Sequence, residues 1–100
     1  MSVLIAAKFQ CDTGKFRQAL AERSEEFVAI RDQAMASGAI HHRFGTGDGF
    51  VLVVDEWGSA EQFEAFFANP ELQAFVASVG ASDAPPEITV TEAVDSPDQF

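Results

Sequence analysis

The sequence predicts an α+β fold: two strand-helix-strand halves that share one antiparallel four-stranded sheet. Three observations predict it. Two runs, Val3–Phe9 and Phe50–Val54, carry apolar residues on both alternating faces, as central strands covered on both sides do. The stretches after them carry apolar residues at helical spacing. Glu87–Asp95 alternates apolar and polar, the period of a half-buried strand.

The first strand, Val3–Phe9, sets Val3, Ile5, Ala7 and Phe9 on one face and Leu4 and Ala6 on the other. Asp12-Thr13 offers a helix cap. Phe16, Leu20, Phe27, Ile30 or Arg31, and Ala34 then recur on one helical stripe. Arg23-Ser24 interrupts that stripe and predicts a bend or second start near Ser24. Gly38 is a natural helix stop. Ala39–Phe44 reads as a second, more polar strand, and the glycine-rich Gly45–Gly49 as a hairpin turn. Phe50–Trp57 is the third strand.

Ser59 follows almost at once, with Gln62 three residues on, the pattern of a capping box. The helix it starts carries Phe63, Phe66 and Phe67 and should break at Asn69-Pro70, where Asn caps and Pro opens a new helix. Leu72, Phe75, Val76 and Val79 continue it to Gly80. Ala81–Pro86 is a loop, Glu87–Asp95 the fourth strand, and Ser96–Phe100 a polar tail. The resulting order is the ferredoxin-like βαββαβ plan, with the first and third strands central and the second and fourth at the edges. Residues 1–100 are expected to form one domain.

Net charge is −10 and unevenly spread. Residues 1–43 hold all six Lys and Arg against five acids, whereas residues 44–100 hold eleven acids and no base. An acidic surface repels phosphate backbones and anionic lipid, so neither nucleic acid nor membrane is an expected partner. The longest strongly apolar run falls far short of the ~20 residues that span a bilayer. Met1-Ser2-Val3-Leu4 leads directly into a strand with no basic leader, so a cytoplasmic protein is expected. Cys11 is alone, which leaves no disulfide framework.

Helices from two crossovers cover one face of such a sheet. The central strands are apolar on both faces, and soluble monomers rarely expose so large an apolar patch. A homodimer packed sheet against sheet is therefore expected.

Val53–Ser59 (VDEWGS), Phe63–Leu72 (FEAFFANPEL) and the closing Pro85–Val94 resemble the dimeric α/β-barrel superfamily. Within it they are similar to the antibiotic-biosynthesis-monooxygenase-like (ABM) group. Gly38-Ala39 followed by His42-Arg43 resembles the second-strand start of actinobacterial-type members. The resemblance runs over the whole chain. It implies a ligand cavity between sheet and helices, and an activity of the cofactor-independent monooxygenase, isomerase or cyclase type on an aromatic or polyketide-like small molecule. Haem-degrading relatives carry a Trp and a His where Phe66 and Val76 stand here; neither can ligate iron, so no haem and no other cofactor is expected.

Among candidate chemical groups, His42 and Asp55 come first as catalytic bases. A histidine titrates near neutral pH and can take a proton from an acidic substrate. A carboxylate against an apolar wall favours its neutral form and so gains basicity. The structural alternative for Asp55 and Glu56 is pairing with Arg43 or Lys8. Trp57, Arg43, Phe66 and Thr91 are candidate substrate-binding residues. Trp57 also reads as a core anchor whose indole N–H finds a backbone carbonyl. Thr89 and Thr91, with Lys8 or Gln10, would bring hydroxyls and a cation to the cavity.

His41 and His42 are adjacent on a strand and should point to opposite faces, so no metal site is expected. Two functional classes follow: a small enzyme that deprotonates a bound aromatic molecule, or a non-catalytic binding or assembly module of the same fold whose core is filled by Phe and Trp.

Overall fold

The computed structural model describes residues 1–100. In chain order it contains β1 (Val3–Gln10), α1 (Thr13–Glu22), α2 (Ser24–Ala36), β2 (Ala39–Gly47), β3 (Phe50–Trp57), α3 (Ala60–Phe67), α4 (Pro70–Ser78) and β4 (Glu87–Glu92). The strands form one antiparallel sheet in the order β2-β3-β1-β4, with the two most apolar strands at its centre. This is the ferredoxin-like α+β fold read from the sequence.

Local chemistry accounts for each helix boundary. The Asp12 side chain accepts from the Lys15 amide and starts α1. Arg23 ends α1 and begins α2, so the bend falls where the apolar stripe breaks. Its guanidinium binds Glu26, donates to Ser78 Oγ on α4 at 2.8 Å and lies over the Phe75 ring, fastening the junction to the second helical pair. Ser59 Oγ accepts from the Gln62 amide and Asn69 Oδ1 from the Glu71 amide, which starts α3 and α4. Only half of the expected capping box forms: the Gln62 side chain lies against Gly38 and Gly58.

Gly38 has φ +117°, and a Cβ there would stand 2.5 Å from the Gln62 side chain. Gly38→Ala is expected to cost about 1–3 kcal/mol of stability, read as a lower urea midpoint, because the backbone value is one that side-chain-bearing residues avoid.

Two boundaries differ from the sequence reading. β2 continues through Gly45, Thr46 and Gly47, and the turn is the pair Asp48-Gly49 alone. The Phe50 ring lies across Gly47, where any side chain would collide with it, so this glycine serves strand packing rather than the turn. β4 stops at Glu92 rather than Asp95, because Glu92 pairs with Val3, the first residue of β1, and the partner strand runs out there.

Val3, Ile5, Ala7, Val51, Asp55 and Trp57 face the helices and are buried. The opposite face carries Leu4, Ala6, Leu52 and Val54 along the central strands and no covering layer; Leu4 and Val54 are 45% and 48% exposed. Beneath the helices the core is two separate clusters. One holds Val3, Ile5, Trp57 and Phe63; the other holds Phe16, Ala19, Val51 and Val79. Neither α2 nor α4 contributes a fully buried residue, because both stand off the sheet across a cavity.

Candidate active site

The cavity lies between the sheet and the helical layer, is walled by members of both core clusters, and has a volume of about 520 Å³. Small-molecule sites commonly fall in this range of size and apolarity. Twenty-three of its 27 lining residues are hydrophobic, which leaves four polar side chains, Arg31, His41, His42 and Asp55, to supply any chemistry.

His42 and Asp55 are brought together by strand register: His42 on β2 stands opposite Asp55 on β3. Their side chains meet with Nδ1 2.6 Å from Oδ1. The second Asp55 oxygen accepts from the Trp57 indole N–H at 3.1 Å. Asp55 is the one charged residue that is buried, and both of its oxygens are thereby bonded. No buried side-chain nitrogen or oxygen lacks a partner. A carboxylate only accepts hydrogen bonds, so a neutral His42 facing it carries its proton on Nδ1 and keeps a lone pair on Nε2. The ring stands edge-on to Phe44, with centroids 4.5 Å apart, which limits its rotation.

This arrangement corrects the pairing expected for Asp55. Its partners are His42 and Trp57, whereas Glu56 accepts from Ser2 Oγ at 2.6 Å and Lys8 lies over the Phe50 ring. The Trp57 indole correspondingly reaches a carboxylate rather than a backbone carbonyl. Trp57 is 2% exposed and contacts Phe63 and Phe66, so the core-anchor expectation and the hydrogen bond coexist in one side chain.

The remaining candidates divide between the two faces of the sheet. Phe66 lines the cavity beside Trp57. Arg43 pairs with Val54 and Thr91 with Leu4, both on the uncovered face, away from the cavity. The Thr91 hydroxyl donates to the Leu4 carbonyl at 3.1 Å. Thr89, Lys8 and Gln10 share that outer face.

The two histidines stand on opposite faces, as alternation predicts: His42 pairs with Asp55 on the cavity side and His41 with Glu56 on the uncovered side, although both touch the cavity at this edge strand. The alternation breaks only before them, where Ala39 pairs with Trp57 and His41 with Glu56, so Ile40 is an extra, bulged residue in β2. No group of three or more His, Cys, Asp or Glu side chains is placed to hold a metal ion.

Sequence reasoning missed Arg31 as a cavity residue and the direct pairing of His42 with Asp55. The signal for the pairing was present: a two-residue turn at Asp48-Gly49 sets Gly47 opposite Phe50 and hence residue 42 opposite residue 55.

No protein-family model matches the sequence, and no curated protein matches it closely. Solved structures do match over nearly the whole chain. The cofactor-independent oxygenase SnoaB from Streptomyces nogalater superposes with a TM-score of 0.60 at 12% identity, covering 98% of both chains. A Streptomyces coelicolor monooxygenase from the gene ActVA-Orf6, in complex with nanaomycin D, gives 0.65 at 17% identity, covering 95% of this chain and 89% of that one. Rv0793 from Mycobacterium tuberculosis gives 0.63 at 19% identity, covering 98% and 100%.

Proposed function

With the ABM-like dimeric α/β-barrel fold as premise, we propose that this chain is a small cofactor-independent enzyme of the monooxygenase or cyclase type that deprotonates an aromatic or polyketide-like molecule. The observation that carries the reading is the Trp57–Asp55–His42 chain of hydrogen bonds at the wall of an apolar cavity. A cavity that kept its two histidines outside, or was filled by its own Phe and Trp side chains, would instead favour a non-catalytic binding or assembly module.

In the proposed mechanism the ligand's rings pack against Phe66 and Trp57 and displace water. His42 Nε2 accepts the proton of an acidic C–H or O–H of the ligand, giving an imidazolium and a ligand anion. Asp55 orients the ring and stabilises the imidazolium, and Trp57 holds Asp55 in place. A dry apolar surround strengthens each of these interactions. The anion then rearranges, or reacts with dioxygen. The neighbours named above as oxygenase and monooxygenase support this class of chemistry.

We further propose that the chain is a cytoplasmic homodimer whose subunits pack through the uncovered sheet face, so that Arg43 and Thr91 belong to the subunit interface rather than to substrate. The alternation of Leu4, Ala6, Leu52 and Val54 across that face supports it. Sedimentation at micromolar concentration should give twice the 10.8 kDa chain mass; a single-chain mass would overturn the dimer. For the reaction, a panel of quinols and aromatic polyketides is screened by thermal shift and then by oxygen uptake and product analysis. Turnover of any hit should fall about 10²–10⁴-fold in His42→Ala, the usual contribution of a positioned base. Unchanged turnover removes His42 from the mechanism.

A further inference from the structure

We propose that Arg31 is the specificity residue of the cavity and that the preferred ligand is an aromatic acid: fused or linked rings within the cavity, and a carboxylate or comparable anionic group held at Arg31. The inference rests on the ligand-site reading above and adds the ligand's charge.

Arg31 is the sole Lys or Arg among the cavity-lining residues. Its level along the cavity follows from chain geometry. The Phe27 ring on α2 meets the Phe44 ring on β2 with centroids 6.1 Å apart. At the far end of the same helix, Ala34 packs on the Trp57 cluster together with Ala39, the first residue of β2. Helix and strand therefore run antiparallel across the cavity. Four helical residues advance about 6 Å from Phe27 to Arg31. Two strand residues advance about 6.6 Å from Phe44 back to His42. Arg31 thus sits on the helical wall, level with His42 on the sheet wall.

Charge makes this position informative. The chain carries a net −10, which disfavours any anionic small molecule by long-range repulsion. The Arg31 guanidinium at the cavity edge is the one fixed cation among the lining residues, where an anion can meet a charge of opposite sign. Its neighbour Asp32 takes two of its five N–H donors onto one oxygen, leaving three free. That pair is exposed on both sides, with side chains 58% and 63% accessible, and exposed pairs are weak and screened. A ligand carboxylate at the apolar rim is better shielded from water and competes well for the same fork. Arg31 and His42 would then divide the work, with one holding the ligand's permanent anion and the other taking its mobile proton.

The test compares two dyes that share their rings and differ by one charge: anilinonaphthalene sulfonate and neutral N-phenylnaphthylamine. Binding is followed through the NMR signal of the Trp57 indole N–H, the single indole of the chain, so that dye on the outer sheet face does not count. Arg31→Gln should weaken the sulfonate about tenfold or more and leave the neutral dye within about twofold, while Arg31→Lys restores part of the difference. Equal loss of both dyes, or no loss of the sulfonate, overturns the role of Arg31 and leaves the cavity reading standing. Failure of both dyes to shift the wild-type indole overturns the cavity as a ligand site and this inference with it.

Discussion

Asp55→Asn is expected to leave the fold intact, reverse the tautomer of His42 and reduce turnover by about 10²–10⁴-fold. The substitution keeps size and shape. Its amide oxygen can still accept from the Trp57 indole, at the site Asp55 Oδ2 now occupies. The amide nitrogen then faces His42 Nδ1, where Oδ1 now lies. An amide N–H donates, so Nδ1 becomes the acceptor and the ring proton moves to Nε2. The imidazole remains in place with its lone pair on the wrong nitrogen. Nitrogen-15 chemical shifts of His42 in the ligand-free protein read this directly, before any substrate is known. Retention of the Nδ1–H tautomer in the variant would remove Asp55 as the orienting group. With a substrate in hand, kcat should fall far more than KM rises, because the loss lies in proton transfer rather than in binding.

The second large effect is on stability. Trp57→Ala is expected to cost about 3–5 kcal/mol, the range for deleting a large buried aromatic side chain. Trp57 is nearly inaccessible, belongs to one of two small core clusters, and lies within contact of the Phe63 and Phe66 rings. Domains of this size have about 5–15 kcal/mol in total, so the variant should lose from about a fifth to all of its stability. Trp57→Phe isolates the polar part of the loss. Most of the packing remains, one Asp55 oxygen loses its donor inside the protein, and the expected cost is about 1–3 kcal/mol. Urea unfolding of the three proteins gives both numbers. A Trp57→Ala loss below about 1 kcal/mol would mean that the ring does not anchor this end of the sheet.

The parts of the fold that were legible in the sequence depend on chain-local physics. Val3–Phe9 and Phe50–Val54 announce central strands because no edge strand needs apolar residues on both faces. Asn69-Pro70 marks a helix break because capping and proline geometry act over three or four residues, and the break before Ser24 shows as an interruption of the apolar stripe at Arg23-Ser24. The histidine faces were legible too, since alternation places His42 inward and His41 outward, as their partners Asp55 and Glu56 have them. What stayed hidden was the bulge at Ile40, which contains neither glycine nor proline and is defined only by its partner strand. Arg31 was hidden for a related reason. It lies on the apolar stripe of α2, where a charged residue reads as a margin of the stripe until the distance from helix to sheet is known. The misplaced threonines show the converse. Thr89 and Thr91 alternate with Ile88 and Val90, and periodicity gives two faces without saying which one meets a cavity.

The stand-off of α2 and α4 from the sheet has a consequence for motion. These two helices bury no residue completely and meet the sheet through partial contacts, so lifting them forfeits little of the free energy that holds β1 and β3 together. The sheet with α1 and α3 on one side, and α2 with α4 on the other, are thereby two partners of unequal persistence. Excursions of α2 need not disturb strand pairing. The same stand-off that leaves the cavity open makes its helical wall the less persistent of its two sides.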